Sequence, residues 1–83
     1  MEKLAKAVKL AVEIKEESFD KEMAEENKDK KFFDFNKCYK ISLREAADKA
    51  AEKVGFDERG AFPVYLLLEY CWNDILDWAK KFD

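Results

Sequence analysis

The sequence predicts an all-α protein, a compact three-helix domain with an extended aromatic connector between its first and second helices. Three observations carry that prediction. Glycine and proline are scarce, at two residues and one, while charged residues make up 42% of the chain and much of that is helix-favouring Glu and Lys. Apolar residues recur at helical spacing along three segments. The stretch between the first two of these, KKFFDFNKCYK, alternates instead. With 83 residues there is room for one domain, spanning 1–83. A chain of this size buries only about 60–65% of its unfolded surface, a thin margin unless a partner or second copy helps.

The first helix is expected over about residues 2–30. Leu4, Ala7, Val8, Ala11, Val12, Phe19 and Met23 form one apolar stripe. The stripe thins after Phe19, so the distal half is either a solvated extension or frays; the pairs Glu17 with Lys21 and Glu26 with Lys30 favour helix there. It does not continue as heptads, which argues against a long coiled coil.

The connector, residues 31–41, places Phe33, Phe35, Tyr39 and Ile41 on odd positions, as an extended segment would. A lone strand lacks a partner for its backbone, so it serves as a connector or pairs with another chain. Its aromatics are expected to fold onto the third helix.

The second helix, about 43–54, has the clearest ends. Ser42 and Glu45 read as a capping box, and Gly55 followed by Phe56 reads as a Schellman ending. Between them Ala46, Ala47, Ala50, Ala51 and Val54 form a small-residue face that calls for a closely packed neighbour.

Asp57-Glu58-Arg59-Gly60 reads as a turn, and the third helix is expected over about 63–82, with Pro63 in its first turn. At about 100° per residue its apolar residues fill an arc of about 180°, wider than the ~100° stripe of an ordinary surface helix. That width suits a central helix flanked by the other two. Leu66 and Tyr70, however, fall in the polar sector beside Glu69, Asn73 and Asp77.

Chemistry is excluded more readily than it is assigned. The chain has no histidine, which removes the commonest general base and the Ser/His and Cys/His nucleophile systems. Cys38 and Cys71 are too few for a structural zinc site, and neither a Glu-x-x-His pair nor a Gly-rich phosphate loop is present. No enzyme activity, metal or cofactor is therefore expected. The two cysteines read as reduced thiols, and the N-terminus is charged throughout rather than built around an apolar core. The longest apolar run is far short of a membrane span. These features predict a cytoplasmic protein without a membrane partner.

Three features bear on binding. Ala51, Gly55, Phe56, Ala61 and Val64 match helix-turn-helix spacing, but the segment that would face DNA holds Asp57, Glu58, Gly60 and Pro63, a poor and acidic reader. The connector sets Phe32, Phe33, Phe35 and Tyr39 among Lys30, Lys31, Lys37 and Lys40. Residues 28–44 carry a local charge of +4 within a chain of net −3. Third, Leu66 and Tyr70 form an apolar patch with a polar rim, as protein interfaces do.

The expected function is a small non-enzymatic module that docks onto a protein partner through Leu66, Tyr70 and the connector aromatics, as a homodimer. It would act as an accessory regulator or inhibitor, of the kind phage and mobile elements deploy. The alternative is a nucleic-acid-associated protein that stacks bases on the aromatics and neutralises phosphates with Lys30, Lys31, Lys37 and Lys40. A small-molecule pocket lined by Trp72, Trp78 and Phe35 is a third reading.

Overall fold

The computed structural model describes residues 2–56 and 58–82. Its class is all-α, with five α-helices and no strand among the described residues. They are α1 (Glu2–Glu17), α2 (Lys21–Glu26), α3 (Leu43–Val54), α4 (Glu58–Tyr70) and α5 (Trp72–Lys80). One 3-10 turn, Phe35–Cys38, lies between α2 and α3. Of the three expected helices, the second keeps its predicted ends and the other two are each divided.

α3 matches because both its ends are encoded locally. Ser42 Oγ accepts the Glu45 backbone N–H at 3.1 Å. At the far end Gly55 takes φ +88°, the Phe56 N–H reaches the Ala51 carbonyl at 2.8 Å, and the Gly55 N–H reaches Glu52 at 3.2 Å. Those two bonds are the Schellman pair.

The first helix stops at Glu17 instead of continuing to residue 30. The Ser18 hydroxyl donates to the Lys15 carbonyl at 2.6 Å, and the Ser18 and Phe19 N–H groups bond three residues back, tightening the last turn. Asp20 then starts α2, its carboxylate accepting the Met23 N–H at 3.1 Å. Asn27 ends α2 by donating its side-chain amide to the Met23 carbonyl at 2.8 Å. Glu17 and Lys21 thus lie on different helices, and Glu26 and Lys30 no longer share one.

The third helix begins five residues earlier than expected and breaks at Cys71. The expected turn is helical from Glu58 onward, and Asp57 lies outside the described residues. Gly60 and Pro63 both sit inside α4. Gly60 is required there because a Cβ at that position would fall 2.5 Å from the Cβ of Phe56, which folds back over the first turn. At Cys71 the backbone leaves the helical region (φ −132°, ψ 36°) with no side-chain cap. α5 resumes in a new direction that buries Ile75 and Ala79 against α1.

The core is built from small side chains. Ala5, Ala7, Val8 and Ala11 of α1 meet the alanine face of α3, and Val64 and Leu68 come in from α4. α3 packs broadly on α1 and α4, and the third helix, as α4 and α5, lies against both α3 and α1. Residues 18–41 stand apart as an arm. The 3-10 turn packs on α2, and neither packs on any helix of the body. The connector is thus a folded-back arm closed at its base, and the expectation that its aromatics fold onto the third helix is not met.

The alanine contact makes a testable prediction. Ala50→Leu inserts three heavy atoms into the closed α1–α3 seam and destabilises by about 1–3 kcal/mol, measured by urea unfolding. Gly55→Ala costs about 1–2 kcal/mol from backbone strain alone, because the new Cβ meets only Lys3 Nζ at 3.8 Å.

Candidate docking surfaces

Two separate surfaces carry the residues that the sequence singles out. The first is the arm. Its neck is held by two backbone bonds, Asp20 N–H to the Cys38 carbonyl at 2.7 Å and Lys40 N–H to the Ser18 carbonyl at 3.0 Å, around the bridge between Phe19 and Tyr39. The Phe19 and Tyr39 rings lie 5.0 Å apart, and Lys15 Nζ sits 4.4 Å from the Tyr39 ring centre. Tyr39 is therefore part of the neck, half-buried and in contact with Phe19 and Lys15.

The tip is different. Phe32 is 94% exposed. Phe33 and Phe35 pack edge to face at 5.1 Å, leaving Phe33 half-buried and Phe35 44% exposed. Asp34 caps the 3-10 turn by accepting the Asn36 N–H at 3.0 Å, which orients this aromatic pair. Lys30, Lys31 and Lys37 are exposed in the same stretch, and Lys40 is exposed at the neck. The arm brings Phe32, Phe33 and Phe35 together with three of the four lysines; Lys40 lies at the neck.

The second surface is the elbow between α4 and α5. Tyr70 is 79% exposed and Leu66, one turn earlier on the same face, is half-buried. Trp72 follows immediately after the break and is also exposed. Glu69 to Asp74 line an open hollow of about 360 Å³ at this corner. Elements of the arm do not pack on α4 or α5, so the two surfaces are not one site.

Sequence reasoning missed other exposed apolar groups. Phe62 is exposed and lies with Tyr65 under the Arg44 guanidinium, 5.3 and 5.5 Å from the two ring centres. Phe82 packs edge-on against Trp78 at 5.0 Å yet stays partly exposed. A signal for Phe62 exists: it falls in the segment between Gly60 and Pro63, where the helical face could not be assigned without knowing that α4 starts at Glu58. The proposed pocket of Trp72, Trp78 and Phe35 is not assembled, since Phe35 belongs to the arm and the tryptophans to α5.

Among the described residues, no three Cys, Asp or Glu side chains converge as a metal site requires. No described helix is long and apolar enough to cross a membrane. The chain matches no family model, no curated protein and no solved structure.

The cysteines give a direct probe of the neck. Cys38 is buried and Cys71 exposed, and both are free thiols. Burial, followed by the carboxylates of Asp20 and Asp34, holds the Cys38 thiol above the ordinary thiol range. The unfolded thiol ionises first as pH rises, so the neck is fully stabilised below that range and weakens above it. With a thiol-reactive dye at neutral pH, Cys71 is expected to label quickly and Cys38 slowly. Tyr39→Ala should open the neck and bring the Cys38 rate toward that of Cys71.

Proposed function

We propose that this protein is a non-enzymatic docking module that binds a protein partner as an accessory regulator or inhibitor. One observation supports the reading above others: large apolar side chains stand on the surface while alanine fills the core. Met23, Phe32, Phe35, Phe62, Tyr70, Trp72 and Phe82 are all exposed, and the largest fully buried side chains are only Leu68, Val8, Val64 and Cys38. Exposed aromatics cost free energy in water and gain it on docking, at roughly 25 cal/mol per Å² of apolar surface covered. Tyr and Trp on a polar rim, as Tyr70 and Trp72 are beside Glu69, Asn73 and Asp74, are the residue types that dominate interface energetics.

A second reading has one observation in its favour. Phe32 and Phe35 project among exposed Lys30, Lys31 and Lys37, the combination with which single-strand binders stack bases and contact phosphates. Salt separates the two readings. Phosphate binding weakens steeply between low and moderate salt, whereas apolar docking is nearly indifferent.

Tyr70→Asp and Phe32→Asp alter exposed side chains, so each should change stability by no more than about 0.5 kcal/mol. Docking should fall at least tenfold for one of them, read by affinity capture of partners with the wild-type chain and both variants side by side. If the double variant retained every partner of the wild type with unchanged affinity, the docking reading would be wrong.

A further inference from the structure

The arm has a feature that docking onto a foreign partner does not require: it is complementary to itself. Its outgoing limb, residues 20–26, holds one lysine against four acids, a charge of −3. Its tip and returning limb, residues 28–40, hold five lysines against two acids, a charge of +3. The outgoing limb also carries a hollow of about 460 Å³, lined by Lys21, Glu22, Glu25 and Glu26. The tip carries the most exposed aromatic ring described in the chain, Phe32, with Lys30 and Lys31 directly before it.

We propose that two copies of this chain pair through their arms about a two-fold axis, each seating Phe32 in the acid-rimmed hollow on the other's α2. A two-fold interface is made of the same patch on both subunits, so a dipolar patch with a ring at one end and a hollow at the other satisfies itself twice. Lys30 and Lys31 of one copy then face Glu22 and Glu26 of the other, Glu25 being paired with Lys28 of its own arm at 2.6 Å, and the pairing excludes the parallel arrangement in which like charges meet.

Surface area agrees with this occupant. The chain exposes 6145 Å², whereas a compact monomer of its mass exposes about 5,200 Å². The surplus, roughly 900–1,000 Å², is about what each partner contributes to a standard interface, ~800 Å². The radius of gyration tells the same story, at 13.9 Å against about 12 Å for a compact chain of this length. The molecule measures 42 × 23 × 20 Å, and neither α2 nor the 3-10 turn packs on a body helix.

This inference shares Phe32 with the docking reading but commits that ring to a second copy, leaving the Tyr70 elbow as the surface for a foreign protein. The test uses the full chain, sizing chromatography with light scattering, and circular dichroism to confirm folding. Wild type is expected at twice the chain mass, and Phe32→Asp at the chain mass. Reversing the tip (Lys30→Glu with Lys31→Glu) and, separately, reversing the hollow (Glu22→Lys with Glu26→Lys) should each give monomers. Mixed in equal amounts, these two variants should form a heterodimer, since every reversed tip then meets a reversed hollow. A wild-type monomer at the highest attainable concentration would overturn the proposal. So would a dimer that survives both reversals, or two folded monomeric variants that fail to pair when mixed. A dimer abolished by Tyr70→Asp but not by Phe32→Asp would overturn it too, moving the contact to the elbow while leaving the docking reading standing.

Discussion

The close contact between the alanine faces of α1 and α3 is the constraint on which the rest of the structure depends. Ala5, Ala7 and Ala11 on one helix and Ala46, Ala47, Ala50 and Ala51 on α1 and α4's side of the other are all buried. Side chains this short bring helix axes to the near end of the usual 8–10 Å separation. The space between them then holds methyl groups and little else. Val8, Val64 and Leu68 complete the interior. Aromatic residues make up 14% of the chain, yet none is fully buried among the described residues. Rings as large as these have no volume to enter, so they lie half-buried along the seams, as Phe56, Tyr65 and Trp78 do, or on the surface. Surface aromatics in this protein are a consequence of how its core is closed.

The arm follows different physics. Nothing in the body supports α2, which at six residues is too short to be stable alone. What keeps it in place is the neck. Two backbone bonds at about 1 kcal/mol each, a tilted ring pair at about 1 kcal/mol and a lysine over Tyr39 at about 0.5 kcal/mol sum to about 3–4 kcal/mol. Closing a loop of this length costs about 3 kcal/mol in chain entropy. The neck contacts thus offset the closure cost, and the placing of α2 depends on the neck rather than on the helices beneath it. Burial of Cys38 beside the same neck makes that thiol a reporter of whether the neck is closed.

The fold class was legible because it depends on composition and period, and α3 was legible to the residue because Ser42 and Gly55 act through bonds within one turn of themselves. The break at Ser18 was half-visible: the stripe thins there and Asp20 is a sound N-cap, but the Glu and Lys residues beyond it favour helix just as well. The break at Cys71 left no local trace, since LEYCWND contains no glycine, proline or side-chain cap. It falls where α4, packed mainly on α3, gives way to α5, packed on α1, so the elements that set it lie elsewhere in the sequence. The start of α4 was misjudged for the opposite reason. Gly60 and Pro63 are local helix breakers by rule, and here Phe56 folded over the first turn makes glycine the residue that fits. Among site residues, Tyr70 could be read from its place in the polar sector of the helix. Tyr39 could not be separated from Phe32, because which aromatic of the connector closes the neck depends on Phe19, twenty residues upstream.

A thin core and a large exposed apolar surface are two sides of one balance. A chain of 83 residues that leaves its rings outside forgoes roughly 1.5–3 kcal/mol for each large side chain not buried. Several such omissions are comparable to the whole stability of a small domain, about 5–15 kcal/mol. Whatever covers Phe32 or Tyr70 in the folded state and ignores the unfolded chain adds its binding free energy to folding, about 2.7 kcal/mol at a hundredfold excess over its dissociation constant. The alanine seam that expels the aromatics thereby makes the stability of this protein depend on what those aromatics touch.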